Sequence, residues 1–223
     1  MFNLIIIGAG GHASELVSYV RDMNRIRRKI RLIGFVDENR PSGLWLGEKI
    51  IGDFSSLKEF LARHSKKKFH YITAVGGNLL RKNFVAEIER INTKNLSPLL
   101  LRHPFSFVGE DVEIGDGSCL APNCVVTTRV KIGRHCILNV CSSVSHDCLI
   151  GDFVNINPKV TVCGNVKIGN GCYIGAGATI IDKVSIGDWT VVGAGAVVKD
   201  DLPSYVTAVG VPARIIKRNK KLN

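Results

Sequence analysis

The chain has 223 residues, of which 45% are hydrophobic, and it carries a formal net charge of +11. This composition is that of a globular protein with one or two domains. No apolar run reaches the ~18 residues of a transmembrane helix, and the apolar amino terminus lacks the basic start of a signal peptide, so we expect a cytoplasmic protein. Nucleic-acid binding is not expected, because aromatic residues are 7% of the chain and no nucleic-acid motif is present. The basic residues instead favour attraction of phosphate-bearing small molecules.

Strands and helices alternate over residues 1–94 and predict a small α/β domain with a parallel sheet. We expect strands at residues 4–8, 31–36 and 70–75. We expect helices at residues 15–28 and 80–91, and one through Leu61 that Ser55 or Ser56 caps. Ligands of such sheets bind beyond the carboxyl ends of the strands, which here are residues 8–12, 37–38 and 76–78.

The turn after the first strand reads Gly8-x-Gly10-x-x-Ala13, and Asp37 ends the next strand. This pattern resembles the dinucleotide-binding fingerprint, in which glycines let phosphates approach the main chain and a helix amino terminus favours anions. Three interpretations stay open: a site for a nucleotide-diphosphate sugar, a purely structural turn, and an NAD site. A domain of this size lacks the second half of an NAD site, which favours the nucleotide sugar.

Residues 95–107, with Pro98 and Pro104, are expected to link this domain to a second one. From residue 108 to residue 198 every sixth residue is aliphatic, without exception, and a small or β-branched residue stands two positions earlier. A period of six predicts a hexapeptide solenoid. At three hexads per coil it has a little over five coils and is roughly 25 Å tall. Residues 199–223 are expected to form a cap and a basic tail.

The small positions of this repeat include Cys124, Cys136, Cys148 and Cys172. We expect these thiols to be buried and reduced rather than to bind a metal.

The repeat does not explain His146 and Asp147. Acyl transfer from a thioester needs a base with a pKa near the working pH, and histidine meets that need. A neighbouring carboxylate can orient the imidazole and stabilise its protonated form. The alternative is a solvated surface pair. His135 has no acidic neighbour and is expected to be a structural or surface residue.

Six segments together resemble one protein family, and they occur in order over nearly the whole chain. They are IIIGAGGH at 5–12, GFVD at 34–37, AVG at 74–76, SHDC at 145–148, GNVKIG at 164–169 and GVPA at 210–213. The family is that of the two-domain sugar acetyltransferases, of the sialic-acid O-acetyltransferase and bacillosamine-pathway N-acetyltransferase type. The resemblance implies an α/β, Rossmann-like amino-terminal domain followed by a left-handed parallel β-helix. It also implies acetyl-CoA as co-substrate and a homotrimer with active sites between neighbouring prisms. No metal is expected, given the positions of the cysteines.

The resemblance also assigns roles by position. His146 would be the general base and Asp147 its acidic partner. The sugar-nucleotide pocket would be lined by Gly10, Gly11, His12, Asp37, Glu38 and Gly76. Ala176 and Ala194 would contact coenzyme A through the main chain, and Asn155 would lie near the acetyl group. A mechanism built on these roles adds Gly164 near the oxyanion and Arg214 at the phosphates of the coenzyme. Asn155 falls where some members carry a second histidine, which leaves its contact with the acetyl group open.

The expected reaction is N-acetylation of a nucleotide-linked amino sugar of the 4-amino-4,6-dideoxy type, for surface polysaccharide or glycan synthesis. One alternative is O-acetylation of sialic acid or a related sugar. Two alternatives from other classes are an NAD-type domain on a structural solenoid and a solenoid that serves only as a scaffold.

Overall fold

The computed structural model describes residues 1–26 and 30–221, which form two compact units divided between Pro104 and Phe105. The elements of the first unit are β1 (Phe2–Ile7), α1 (Gly11–Ile26), β2 (Ile30–Val36), β3 (Gly43–Trp45), β4 (Glu48–Gly52), α2 (Phe54–Arg63), β5 (Phe69–Thr73), α3 (Asn78–Ile91), β6 (Leu96–Pro98) and β7 (Leu101–Arg102). Among the described residues of both units, no helix is long and apolar enough to cross a membrane.

One six-stranded sheet organises the first unit, with the order β3-β4-β2-β1-β5-β6. All neighbours pair in parallel except β3, which forms an antiparallel hairpin with β4. The central strand β1 is apolar on both sides, and its last four residues, from Leu4 to Ile7, are 0% exposed. Such an uninterrupted apolar run is typical of a parallel strand that is buried on both faces. The predicted α/β fold is therefore confirmed.

Three local predictions for this unit need correction. The first helix begins at Gly11 rather than at residue 15, and its predicted last residues, 27 and 28, lie outside the described residues. Asp53, not Ser55 or Ser56, caps α2, because its carboxylate accepts from the main-chain N–H of Ser56 at 2.8 Å. This bond is the main reason that the pKa of Asp53 falls to about 2. Leu96–Pro98, expected in the linker, forms a strand that pairs with β5.

The second unit is built from strands of two residues. They are β8 (Phe107–Val108), β9 (Glu113–Ile114), β10 (Cys119–Leu120), β11 (Val125–Val126), β12 (Lys131–Ile132), β13 (Ile137–Leu138), β14 (Ser143–Val144), β15 (Leu149–Ile150), β16 (Asn155–Ile156), β17 (Thr161–Val162), β18 (Lys167–Ile168), β19 (Tyr173–Ile174), β20 (Thr179–Ile180), β21 (Ser185–Ile186), β22 (Val191–Val192) and β23 (Val197–Val198).

These strands stack into three parallel sheets, which we call walls. Wall 1 contains β8, β11, β14, β17, β20 and β23; wall 2 contains β9, β12, β15, β18 and β21; wall 3 contains β10, β13, β16, β19 and β22. Val126 pairs with Val144, and Val144 pairs with Val162, so one coil takes 18 residues, or three hexads. The structure is a left-handed parallel β-helix, as predicted.

The six-residue pattern forms the interior of the prism. From residue 120 to residue 198, every aliphatic residue of the repeat is at most 5% exposed. Cys124, Cys136, Cys148 and Cys172 are 0% exposed free cysteines, as expected. The thiols of Cys136 and Cys172 each donate to a main-chain oxygen of the next coil at 3.0 Å. Burial raises the pKa of Cys172 to about 12, so this thiol stays protonated.

The corners follow a second rule, which concerns main-chain conformation. The third residue after each aliphatic position, from residue 111 to residue 195, has a positive φ in all fifteen hexads. Eleven of these corner residues are not glycine, and none is β-branched, in accord with the steric cost of this conformation. Asp147, with φ 61°, is one of them.

Two longer strands close the stack of coils. β24 (Val206–Val209) pairs in parallel with β22 of wall 3, and β25 (Arg214–Arg218) pairs antiparallel with β24. All five residues of β25 are exposed, and three of them are basic. Basic side chains on an edge strand discourage pairing with further strands.

Candidate active site

His146 and Asp147 lie in the turn that follows β14, where wall 1 meets wall 2. Side chains of adjacent residues on a straight strand point to opposite faces. The positive φ of Asp147 bends the chain and lets its Oδ2 reach Nδ1 of His146 at 2.7 Å. The imidazole is 53% exposed. The structure thus brings the two predicted catalytic residues together, with the ring accessible to a substrate.

Arg129 completes this group and was missed by the sequence reasoning. It stands one coil before Asp147, and its Nε and Nη2 donate to Oδ1 and Oδ2 of that carboxylate at 2.7 and 3.0 Å. Arg129 first, and His146 second, lower the pKa of Asp147 to about 2. Asp147 is therefore ionised at any working pH. An ionised partner favours the proton on Nδ1 of His146 and leaves Nε2 as the acceptor.

Gly164 lies one coil after His146, directly against its ring. A Cβ atom on Gly164 would stand 2.6 Å from Cε1 and 2.7 Å from Nε2 of His146. The main chain also joins the two coils here, since the N–H of Asn165 donates to the carbonyl of His146 at 2.9 Å. Gly164 was expected to contact the coenzyme. The geometry gives it a further role, which is to leave room for the imidazole.

Ala176 and Ala194 lie at the other edge of wall 1, in the turns that precede β20 and β23. Both are exposed, and each is followed by a glycine with positive φ whose added Cβ would meet nothing within 4 Å. The main chain at this corner is therefore open to a ligand. His146 and the two alanines border the same wall, because β20 and β23 lie two and three coils after β14.

The outer faces of walls 1 and 2 differ in charge. Wall 2 presents Glu113, Lys131 and Lys167 to solvent. The outward positions of wall 1 are all uncharged: Phe107, Val125, Ser143, Thr161, Thr179 and Val197. An uncharged face beside the catalytic corner suits contact with another surface better than the charged face does.

Asn155 and Arg214, which are predicted to contact the coenzyme, lie away from the turn that holds His146 and Asp147. Asn155 lies on β16 in wall 3 and is 3% exposed. Arg214 begins the exposed strand β25, and its Nη1 lies 3.6 Å from Oδ2 of Asp200. Contacts of Asn155 with an acetyl group and of Arg214 with a phosphate stay predictions.

In the first unit, the strands β2, β1 and β5 are neighbours in the sheet, so their carboxyl ends lie side by side. Gly10, Gly11 and Gly76 are exposed there, and a Cβ on any of them would meet nothing within 4 Å. The amino terminus of α1 opens onto the same turn. An exposed glycine turn at a helix amino terminus can hold a phosphate through its main-chain N–H groups.

The carboxylate of Asp37 is held by main-chain donors, and its contact with a sugar nucleotide stays a prediction. Its carboxylate accepts main-chain N–H groups of Ala9 at 2.7 Å and of Asn39 and Arg40 at 3.0 Å. Three of about four acceptor positions on this carboxylate are thus used within the chain. Asp37 mainly fixes the glycine turn against the end of β2, because its own loop and the turn both donate to it.

Arg40 supplies a positive charge that the sequence reasoning missed. Its Nε donates to the carbonyl of Ala9 at 2.8 Å, and its guanidinium lies 4.7 Å from the ring centroid of Trp45. These contacts hold a cation beside the glycine turn. The signal available in the sequence was a basic residue three positions after the strand-end aspartate.

His12 and Glu38 face different surroundings. Nδ1 of His12 lies 2.8 Å from Oε2 of Glu15, and this bond is the first cause that lowers the pKa of Glu15. Nε2 of His12 is buried and has no hydrogen-bond partner among the residues the structure describes. Glu38 lines a separate depression of about 430 Å³ together with Asp53 and Glu87. Uncharged residues also line this depression, and a contact of Glu38 with the sugar nucleotide stays a prediction.

Comparisons with known proteins identify the family to which the chain belongs. The PglD N-terminal domain model matches residues 3–88, and the bacterial transferase hexapeptide (six repeats) model matches residues 147–182 and 165–200. The GDP-perosamine N-acetyltransferase of Escherichia coli is 31% identical, over 96% of each chain. The chain belongs to the two-domain hexapeptide-repeat sugar acetyltransferases. It is therefore an acyltransferase, and the NAD-type and scaffold interpretations are set aside.

Solved structures extend this similarity to the whole chain. A histidine-to-alanine mutant of GDP-perosamine N-acetyltransferase from Caulobacter crescentus, in complex with CoA and GDP-perosamine, is 30% identical with a TM-score of 0.87, and covers 97% of this chain and 98% of that one. The acetyltransferase domain of PglB from Neisseria gonorrhoeae is 30% identical with a TM-score of 0.84 and covers 97% and 100%. WeeI from Acinetobacter baumannii is 29% identical with a TM-score of 0.82 and covers 97% and 100%.

Proposed function

We propose that the protein transfers an acetyl group from acetyl-CoA to the amino group of a nucleotide-linked amino sugar of the 4-amino-4,6-dideoxy type, for surface polysaccharide or glycan synthesis. The observation that carries the proposal is the exposed imidazole of His146 held by an ionised carboxylate at 2.7 Å. The substrate class is supported by the relatives with GDP-perosamine N-acetyltransferase activity, which match along the full chain. A GDP-linked amino sugar is therefore the first acceptor to test.

The proposed reaction uses Nε2 of His146 as the base. The sugar nitrogen attacks the thioester carbonyl and forms a C–N bond, while Nε2 takes a proton from that nitrogen. Asp147 stabilises the resulting imidazolium. Collapse of the tetrahedral intermediate breaks the C–S bond, and the imidazolium returns the proton to the departing sulfur. Hydrogen-bond donors near Asn155 and Gly164 would stabilise the oxyanion.

The first unit is proposed to hold the nucleotide. The exposed main chain at Gly10, Gly11 and Gly76 allows close approach of a diphosphate, and the amino terminus of α1 favours its charge. Arg40 adds a fixed cation beside the turn. His12 offers a buried Nε2 that the described residues leave without a hydrogen bond. Asp37 would contribute through the turn that it holds in place.

We also propose a homotrimer with active sites between neighbouring prisms, as the family resemblance implies. The uncharged outer face of wall 1, bordered by His146, Ala176 and Ala194, supports a subunit contact beside the catalytic corner. In such an assembly Arg214 and Lys217 would meet the phosphates of the coenzyme. The cytoplasm is the proposed compartment, in keeping with seven cysteines that are all free thiols.

A thiol-release assay tests the proposal. Acetyl-CoA is offered with a panel of GDP-, UDP- and dTDP-linked 4-amino sugars and with sialic acids, and the product is identified by mass spectrometry. We expect thiol release with a nucleotide-linked amino sugar and an amide product. His146→Ala should lower turnover by ~10²–10⁴ and leave the affinity for acetyl-CoA nearly unchanged. Release only with sialic acid would replace N-acetylation by O-acetylation, and release with no acceptor would refute the proposal.

A further inference from the structure

Arg129 holds both oxygens of the carboxylate that holds the catalytic imidazole. Nε donates to Oδ1 of Asp147 at 2.7 Å, and Nη2 donates to Oδ2 at 3.0 Å. The planar guanidinium fork fixes the plane of a carboxylate in a way that a single ammonium cannot. Oδ2 is thereby kept where it also accepts from Nδ1 of His146 at 2.7 Å.

The main chain of the His146–Asp147 turn is already fixed by its two neighbouring coils. The N–H of Asp147 donates to the carbonyl of Thr128 at 3.2 Å, and the N–H of Asn165 donates to the carbonyl of His146 at 2.9 Å. The remaining freedom is rotation of the two side chains. Arg129 removes that freedom for the carboxylate, and the carboxylate in turn sets the orientation of the ring.

We propose that Arg129 is a positioning residue for acetyl transfer, which orients the Asp147 carboxylate toward His146 and offsets part of its negative charge. The use of turnover as a readout rests on the proposed function. The offset of charge has a definite sign. A guanidinium beside the carboxylate disfavours the imidazolium, so the loss of Arg129 should favour protonation of His146 and move the acidic limb of the pH–rate profile to higher pH.

The other groups around the pair do not supply this effect. The following coil brings Gly164 and Asn165, which carry no charge. The thiols of Cys148 and Cys163 are the nearby titratable groups, and burial raises the pKa of Cys148. Asp111, one coil before Arg129 and two coils before Asp147, raises the pKa of Arg129 further, although Asp147 is the larger cause. Arg129 is thus the one cation in contact with the pair among the described residues.

A purely structural ion pair would behave differently. Arg129 is 58% exposed, and exposed ion pairs contribute little to the free energy of unfolding. Such a role predicts a small change in melting temperature and no change at the imidazole. Lys131 provides a matched control, because it pairs with Glu113 at 2.9 Å on the next strand, is 64% exposed, and has no contact with His146.

The first measurement is independent of the acceptor. Histidine-labelled protein is titrated by NMR, with His146→Ala to assign the signal. We expect the His146 midpoint to be higher in Arg129→Ala and Arg129→Gln, which lose the charge, than in the wild type, Arg129→Lys and Lys131→Ala. An unchanged midpoint in Arg129→Ala and Arg129→Gln, with the proteins folded, would overturn the proposed role.

The second measurement is kinetic. We expect kcat to fall about 5–30-fold in Arg129→Ala with both KM values nearly unchanged, because only the geometry of the base is altered. Arg129→Lys should recover part of kcat, since it keeps the charge and loses the two-point contact, while Lys131→Ala should match the wild type. Equal kcat in Arg129→Ala and wild type would also refute the role. If the wild type releases no thiol, the result counts against the proposed function and not against Arg129. The NMR titration then tests by itself whether Arg129 acts on His146.

Discussion

Gly164→Ala should slow the enzyme without unfolding it. The new Cβ would stand 2.6 Å from Cε1 of His146, whereas carbon atoms in contact are about 3.5–4.0 Å apart. The imidazole must therefore move by about 1 Å, and its exposed position lets it swing toward solvent at little cost to stability. A displacement of about 1 Å at a reacting group can cost ~10²-fold in rate. We expect kcat to fall by roughly that factor and the melting temperature to stay close to that of the wild type.

The assay is thiol release with acetyl-CoA and the preferred amino-sugar acceptor, together with thermal unfolding. The same substitution in the His146→Ala background is the matched control. If Gly164→Ala acts only through the ring, it should have no further effect there, and the two effects will not be additive. A wild-type kcat in Gly164→Ala would refute the steric argument. An equal fall in both backgrounds would show that Gly164 acts on the acetyl group rather than on the base.

Three further substitutions separate catalysis, binding and folding. Asp147→Asn should lower kcat by up to ~10⁴-fold, because a neutral amide does not stabilise the imidazolium. The pKa of Asp147 is lowered to about 2, so its ion pair stabilises the fold above about pH 4 and is lost as the pH falls toward 2. Over that interval the melting temperature of Asp147→Asn should therefore fall less than that of the wild type. The Cβ added in Gly10→Ala meets no atom within 4 Å, so this variant should keep its melting temperature while KM for the nucleotide sugar rises about 3–10-fold. Gly8→Ala should instead lower the melting temperature, because Gly8 has a φ of 103°. Asp53→Ala removes the cap of α2 and should lower the melting temperature by a few degrees with kcat unchanged; an altered kcat would show that the cap also shapes the nucleotide site.

The β-helix could be predicted from the sequence because its interior repeats at a short and constant spacing. The catalytic pair followed from the same pattern, since His146 and Asp147 are residues that the repeat does not require. Arg129 and Gly164 were not recognised as partners of this pair. Each stands 18 residues from its partner, a spacing that becomes a contact only when three hexads close one coil.

The sequence predicts a nucleotide site at the strand ends of the first unit, and the structure adds contacts there that the sequence does not show. The glycines at the strand ends are exposed, as a phosphate site requires. The role of Asp37 depends on how its loop folds back, because three main-chain N–H groups then compete with any ligand for the same carboxylate. Arg40 reaches the glycine turn through that same loop. Such contacts are set by backbone conformation, which a list of strand ends does not contain.

A comparison of His135 with His146 shows that the chemistry of a corner depends on the 18-residue period of the coil. Both lie in corners of the prism, yet His135 is 1% exposed and stacks on Phe153 with ring centroids 5.3 Å apart, whereas His146 is exposed. The two belong to different corner columns. The column between walls 2 and 3 carries rings, the column between walls 3 and 1 carries Ala176 and Ala194, and the column between walls 1 and 2 carries the charged residues around His146. A period of 6 thus specifies the interior, and a period of 18 specifies the chemistry of each edge, because each corner recurs only once per coil.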